Sequence, residues 1–203
     1  MKVLKKKSFF IFDLDGVIFD SKENMRIAWK HTSKKFKLKI PFYLYFQKIG
    51  MPFMKILKTL GVKQNIKIHE NFKKESLKNM HLIKPYKNVL NLLKYFEKNS
   101  IKFSIVTSKD LVRTKFLLKQ FKIKPSSIHC PNKKLRGKPF PDQILKVVKK
   151  MKMRKKECIY VGDTKFDQIG SRKSGIDFVL AYYGYKIGIK NHKTKIKNIT
   201  QVK

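Results

Sequence analysis

Two aspartates one residue apart, Asp13 and Asp15 in Phe12-Asp13-Leu14-Asp15-Gly16-Val17, close a short apolar run. Carboxylates so near a hydrophobic segment are costly to place unless a cation or a proton compensates them. The chemistry open to them is nucleophilic attack, proton transfer or ligation of a hard cation. Taken alone, the segment reads equally as a turn with solvated aspartates. A calcium loop is excluded, because Gly16 comes too early and Val17 stands where a ligand is needed.

Three further segments carry residue types of the same kind. Thr107-Ser108 closes the apolar run Phe103 to Val106. A hydroxyl there, with free backbone N–H groups of Ser108 and Lys109 leading into a helix, makes a phosphate seat, although Thr/Ser is also an ordinary helix N-cap. Gly137-Lys138-Pro139-Phe140-Pro141-Asp142 is a proline-stiffened loop able to hold one ammonium in place. In a chain so rich in lysine, Lys138 alone also reads as surface. In Val161-Gly162-Asp163-Thr164-Lys165-Phe166-Asp167, Asp163 and Asp167 stand four apart around a helix start, on one side of the turn. With Asp13 and Asp15 they could form an oxygen cage for a cation that keeps several waters, as Mg²⁺ prefers. The plainer reading of Asp163 is an N-cap.

The elements that must position these residues follow from hydrophobic periodicity. Phe9 to Phe12, Phe103 to Val106, Cys158 to Val161 and Phe178 to Tyr182 read as buried strands, and Ser127 to Cys130 as a weak one. Helices are expected around Val89 to Phe96, Leu111 to Phe121, Ile144 to Met151 and Phe166 to Ser174. Such alternation implies right-handed crossovers and a parallel sheet, whose ligands sit beyond the carboxyl ends of its strands. From Ser21 to about Ile83 the spacing of Met25, Ala28, Trp29, Thr32 and Phe36, then Met54, Leu57 and Leu60, is helical, broken at Gly50-Met51-Pro52 and at Gly61. The expectation is an α/β protein: a three-layer Rossmann-like core with a parallel sheet over residues 1–20 and 83–203, and a small all-helical cap inserted at 21–82. The lysine-rich tail from Tyr185 to Lys203 is weakly periodic and expected to be frayed.

Composition narrows the class. A chain of 203 residues with 42% hydrophobic and 12% aromatic content is folded rather than disordered. Its formal net charge of +37 raises nucleic acid as a partner. Only five of the fifty basic residues are arginine, however, the side chain that base and phosphate recognition favours. Lysine is instead spread along the chain beside isoleucine, asparagine and phenylalanine, all served by A/T-rich codons, so no specific nucleic-acid partner is expected. Cys130 and Cys158 belong to no CxxC pattern and read as buried free thiols. The basic start is interrupted by Asp13 before it can form a signal-peptide core, and no run is long enough for a membrane span. A cytoplasmic location is expected.

The four segments, in this order, resemble the four motifs of the haloacid dehalogenase-like hydrolase superfamily: Asp13-Leu14-Asp15-Gly16, Thr107, Lys138 and Gly162-Asp163-Thr164-x-x-Asp167. The similarity covers residues 8 to 184. It is strongest to the helical-cap branch that includes phosphoglycolate phosphatases and beta-phosphoglucomutases, through Asp20-Ser21, Ile49-Gly50-Met51-Pro52, Lys138-Pro139-x-Pro141-Asp142 and Ser174-Gly175-Ile176. Ser171, where the family usually has alanine, and the short basic tail depart from the pattern. The resemblance implies a phosphoric monoester hydrolase with Asp13 as nucleophile and Asp15 as general acid and base. It implies Mg²⁺ held by Asp13, the Asp15 carbonyl and Asp163, with Asp167 orienting a bound water. Thr107, the Ser108 amide and Lys138 would bind the phosphoryl oxygens, with Gly50 and Met51 of the cap facing the leaving group. The implied partner is a small phosphorylated metabolite, and the assembly a monomer or homodimer. A phosphomutase of the same branch and a non-catalytic basic nucleic-acid binder are the alternatives.

Overall fold

In the computed structural model, residues 7–63, 65–132 and 134–202 are described. Phe9–Phe12 (β1) is buried at all four positions, as a parallel strand covered on both faces must be. The remaining strands are Phe19–Asp20 (β2), Lys84–Pro85 (β3), Phe103–Val106 (β4), Ser127–His129 (β5), Cys158–Gly162 (β6), Asp177–Ala181 (β7) and Lys195–Ile196 (β8). Six of these form one parallel sheet in the order β5-β4-β1-β6-β7-β8. The chain therefore builds outward from β1 in both directions, which opens a crevice at the carboxyl ends of β4, β1 and β6. Phe12 lies opposite Ile105 and Val161, so Thr107 and Asp163 emerge one position beyond the level of Asp13.

Successive β1 side chains serve opposite faces. Phe10 and Phe12 pack with Leu92, Leu93 and Phe96 of Val89–Lys98 (α5) and with Leu117 and Leu118 of Leu111–Gln120 (α6). Phe9 and Ile11 pack with Ile144, Val147 and Val148 of Asp142–Lys150 (α7). The buried set of α5, Val89, Leu92, Leu93 and Phe96, has the three- and four-residue spacing of a single helical stripe. Burying each such side chain contributes roughly 1.5–3 kcal/mol. Lys165–Ser174 (α8) lies on the same face as α7, where Gly170 meets Ile144. The result is the three-layer α/β core the alternation predicts.

Between β2 and β3 the described residues contain no strand. This segment forms Lys22–Lys35 (α1), Phe42–Phe46 (α2), Phe53–Thr59 (α3) and Ile66–Lys78 (α4). It has an apolar cluster of its own, in which Trp29 stacks on Tyr45 at 4.4 Å and the tilted rings of Phe53 and Phe72 meet at 4.7 Å. Phe166 of α8 joins that cluster and ties it to the core. The two chain crossings are held side by side by the antiparallel β2–β3 pair, Phe19 opposite Pro85 and Asp20 opposite Lys84.

The tail corrects the expectation of fraying. β8 extends the sheet beside β7, and Ile196, Ile199 and Val202 are buried against Val179, Ala181 and the α5 layer. Lys197, Asn198, Thr200 and Gln201 stand between these apolar positions and hide their spacing in the sequence. Cys130 and Cys158 are buried free thiols. No described helix is long and apolar enough to cross a membrane.

Candidate active site

At the end of β1 the Asp13 amide donates to the Val161 carbonyl at 2.9 Å, so the strand pairing itself delivers Asp13 to the crevice. Asp13 Oδ1 accepts from the Leu14 amide at 2.7 Å and pairs with Lys138 Nζ at 2.7 Å. Asp13 Oδ2 has no hydrogen-bond partner among the described residues. The chain then turns at Gly16 with φ +84, a region other residues rarely adopt. A Cβ at Gly16 would stand 2.1 Å from Asp163 Oδ2, so glycine also makes room for that carboxylate.

Asp163 follows β6, and its Oδ2 accepts from the Tyr185 amide at 2.8 Å. It does not cap the next helix. Thr164 does, accepting from the Asp167 amide, while Asp167 Oδ2 accepts from the Thr164 amide at 3.0 Å and its hydroxyl at 2.6 Å. Asp167 Oδ1 accepts from the Tyr160 hydroxyl at 3.1 Å and meets Lys138 Nζ at 2.7 Å. Both Asp167 oxygens are thus engaged by the protein, and the residue holds Lys138 in place.

Asp13, Asp163 and Asp167 bring one ligand atom each within 4.8 Å of one another, and all three are buried. One ammonium, Lys138, faces three carboxylates. Burial opposes its charge, but Asp13 and Asp167 outweigh burial and push it up to about 12. The same deficit of positive charge appears on the acids. Burial raises Asp13 to about 7, with Lys138 opposing and Asp167 adding to the shift. Asp163 is raised well above the usual carboxylate range by burial, then by Asp167 and Asp13. Asp163 Oδ1 is buried with no hydrogen-bond partner among the described residues. An orphaned carboxylate oxygen amid excess negative charge fits a hard divalent cation, for which oxygen donors are the preferred ligands.

Asp15 points elsewhere. Its Oδ1 accepts from the Ser21 hydroxyl at 2.5 Å and pairs with Lys109 Nζ at 3.1 Å, so its carboxylate is not in the acidic cluster. At the end of β4, Thr107 Oγ1 accepts from the Lys109 amide at 3.1 Å. This corrects the expectation of two free amides: a hydroxyl two residues back engages that of Lys109, and the Ser108 amide is the one left open. The Ser108 hydroxyl donates across to the Gly50 carbonyl at 2.7 Å. Gly50 has φ +94, and a Cβ there would stand 2.7 Å from Thr164 Oγ1, so glycine permits the helical segment to touch the core at this point. Met51 is buried and lines a small cavity together with Asp15 and Ser108. Arg26 stays on the surface, paired with Glu23 at 2.5 Å.

Sequence reasoning passed over the side-chain roles of Ser21, Lys109, Arg113, Tyr160 and Tyr185. Tyr185 links three parts of the site: its amide holds Asp163, its hydroxyl accepts from the Ser21 amide and donates to Asp20, and its ring meets Phe46 at 5.1 Å. No local pattern announces it, since it lies far along the chain from every partner.

Known proteins resemble this chain over most of its length. The profile of the family described as haloacid dehalogenase-like hydrolase matches residues 10–181. A provisionally named pyrophosphatase, PpaX, of Caldanaerobacter subterraneus subsp. tengcongensis is 27% identical over 180 residues, 82% of this chain and 77% of the relative. A hydrolase structure from Pseudomonas syringae superposes with a TM-score of 0.81 at 28% identity, covering 90% of this chain and 88% of the other. A provisionally named phosphoglycolate phosphatase of Lactobacillus plantarum shares the fold, with a TM-score of 0.85 at 15% identity over 97% and 99% of the two chains.

Proposed function

The chain belongs to the haloacid dehalogenase-like hydrolase family, and from that premise we propose that it hydrolyses a phosphate monoester of a small metabolite through an aspartyl-phosphate on Asp13. The observation that carries this reading is Asp13 itself: a buried carboxylate with one oxygen held by Leu14 and Lys138 and the other open. Asp13 attacks phosphorus, and the bond to the leaving oxygen breaks as Asp15 gives that oxygen a proton. Asp15 then takes a proton from water, which attacks the aspartyl-phosphate, releases phosphate and restores Asp13. Thr107, the Ser108 amide and Lys138 bind the phosphoryl oxygens; Lys138 is held for this by Asp167. Asp13 and Asp163, with the Asp15 carbonyl, would hold Mg²⁺; Asp167, expected to orient a bound water, instead has both oxygens engaged by Tyr160, Lys138 and Thr164. Such a cation supplies positive charge that lets a carboxylate approach an anionic phosphoryl group. The helical segment at 21–82 acts as a cap that excludes water from the reaction.

Asp13→Asn is the direct test. It should abolish Mg²⁺-dependent phosphate release while the circular dichroism spectrum stays unchanged, and retained activity would sink the assignment. Release of free phosphate, rather than its return to an isomer of the substrate, separates a phosphatase from a phosphomutase.

A further inference from the structure

Two chain crossings join the helical segment to the core, at Phe19–Asp20 and Lys84–Pro85. Ser21 is the next residue after the first crossing and stands, fully buried, at the N-cap of α1. Any turn of the cap about the crossings therefore carries the Ser21 amide with it. That amide donates to the Tyr185 hydroxyl at 2.6 Å, and the hydroxyl donates in turn to Asp20 Oδ1 at 3.1 Å. The Tyr185 ring stands edge-on to Phe46 of α2, with centroids 5.1 Å apart. One side chain of the core thus meets the cap at two points, its hinge and its second helix.

The backbone of the same residue is tied to the acidic cluster. The Tyr185 amide donates to Asp163 Oδ2 at 2.8 Å. Gly184 before it packs so closely that a Cβ would stand 2.2 Å from the Gly16 carbonyl oxygen and 2.7 Å from Asp163 Cβ. Two residues on, the Ile187 carbonyl accepts from the Lys165 amide at 2.9 Å, at the start of α8. The chain at Tyr185 therefore cannot shift without disturbing the Asp163 carboxylate. With Oδ2 held by that amide, the oxygen left to meet a cation is Oδ1, which has no partner among the described residues. A cation on Oδ1 fixes the carboxylate, and the carboxylate fixes the amide. The phenol is then held where the cap position of this structure supplies its partners, and ordering already completed at one site lowers the cost of ordering the other.

We infer that Tyr185 is a positioning residue through which cation binding at Asp163 and closure of the helical cap favour each other. This rests on the reading of Asp163 as a ligand of the cation and adds a direction to it. Linkage is reciprocal, so whatever factor the bound cation adds to closure, the closed cap adds to cation affinity. A cap tied in this way closes preferentially over a loaded site and disfavours closure over an empty one.

The test needs no substrate: Mg²⁺ is titrated into the whole protein by calorimetry, and amide exchange of residues 21–25 and 42–49 is followed with and without Mg²⁺. In the unaltered protein Mg²⁺ should slow that exchange at least about fivefold, the lower end of the usual coupling between two sites. Tyr185→Phe keeps the ring against Phe46 and the amide on Asp163, and removes only the hydroxyl. Its Kd for Mg²⁺ should rise about three- to tenfold, the equivalent of one hydrogen bond, and the slowing by Mg²⁺ should shrink by the same factor. A merely structural role of the hydroxyl would speed exchange equally with and without Mg²⁺ and leave Kd in place. Phe46→Leu alters the cap alone, away from every acid of the cluster, and should raise Kd at least about twofold through the same link; it decides the matter if Tyr185→Phe fails to fold. An unmoved Kd, or an undiminished slowing by Mg²⁺, in folded Tyr185→Phe overturns the coupling while the cation site stands. Failure of the unaltered protein to bind Mg²⁺ overturns the cation site and the coupling together.

Discussion

Lys138 Nζ lies 2.7 Å from Asp167 Oδ1, and neither side chain is more than 2% exposed. With Asp13 on its other side, this ammonium is the one cation within the buried acidic cluster among the described residues. Lys138→Met would leave three carboxylates facing one another. The metal-free variant should lose about 3–5 kcal/mol of stability, the usual consequence of removing one member of a buried ion pair. A lower denaturant midpoint at unchanged slope would register it. Phosphate release should fall roughly 100- to 1,000-fold, the cost of removing one donor to developing charge.

Metal binding and pH should oppose each other at Asp13. Its folded pKa is raised from 3.8 to about 7, so the bound proton stabilises the metal-free folded state. That contribution is complete below about pH 3.8 and is lost as pH rises through about 7. Between pH 6 and pH 8 the metal-free protein should lose about 1.4 kcal/mol, or roughly 3–6 °C in Tm. Mg²⁺ should raise Tm more at pH 8 than at pH 6, because it competes with that proton. Scanning calorimetry with and without chelator measures both slopes, and equal Mg²⁺ shifts at the two pH values would refute the coupling.

Ser108 and Gly50 form a hydrogen bond between core and helical segment, at 2.7 Å. Ser108→Ala should weaken that closed contact by about 0.5–1.5 kcal/mol. Amide exchange around residues 49–53 should quicken, and KM for a small phosphate ester should rise a few-fold with less effect on kcat. Unchanged exchange would mean that the contact does not govern closure.

The tail should behave as core. Ile199→Ala removes a side chain 2% exposed against the α5 layer and should cost about 2–5 kcal/mol. A cost below about 0.5 kcal/mol in urea denaturation would show that residues 195–202 contribute little to the fold.

Much of this molecule is legible in its sequence because short apolar runs ending in Asp13, Thr107 and Asp163 are both strands and the positions that open a crevice. The core strands lie within a residue of where the runs predict them. The two-residue strands β2, β3 and β8 are too short to carry any period. Asp13, Asp163, Asp167 and Lys138 meet through strand pairing and a rigid loop, whereas Lys109 and Arg113 are indistinguishable by type from dozens of surface cations. Only burial separates them, and burial is a property of the packed helical segment. The hydrogen bond that engages the Lys109 amide escaped for a related reason: Thr107 has a hydroxyl that can serve either a phosphate or its own turn, and only geometry chooses.

The central place of β1 has a consequence for the order of synthesis. β1 is made long before both of its neighbours: β4 begins at Phe103 and β6 at Cys158. At roughly 5–20 residues per second, the nascent chain waits on the order of 7–30 s between completing β1 and starting β6. Throughout that interval Phe9–Phe12 is an apolar strand with at least one open edge, the kind of segment that pairs with other chains or is shielded by a chaperone.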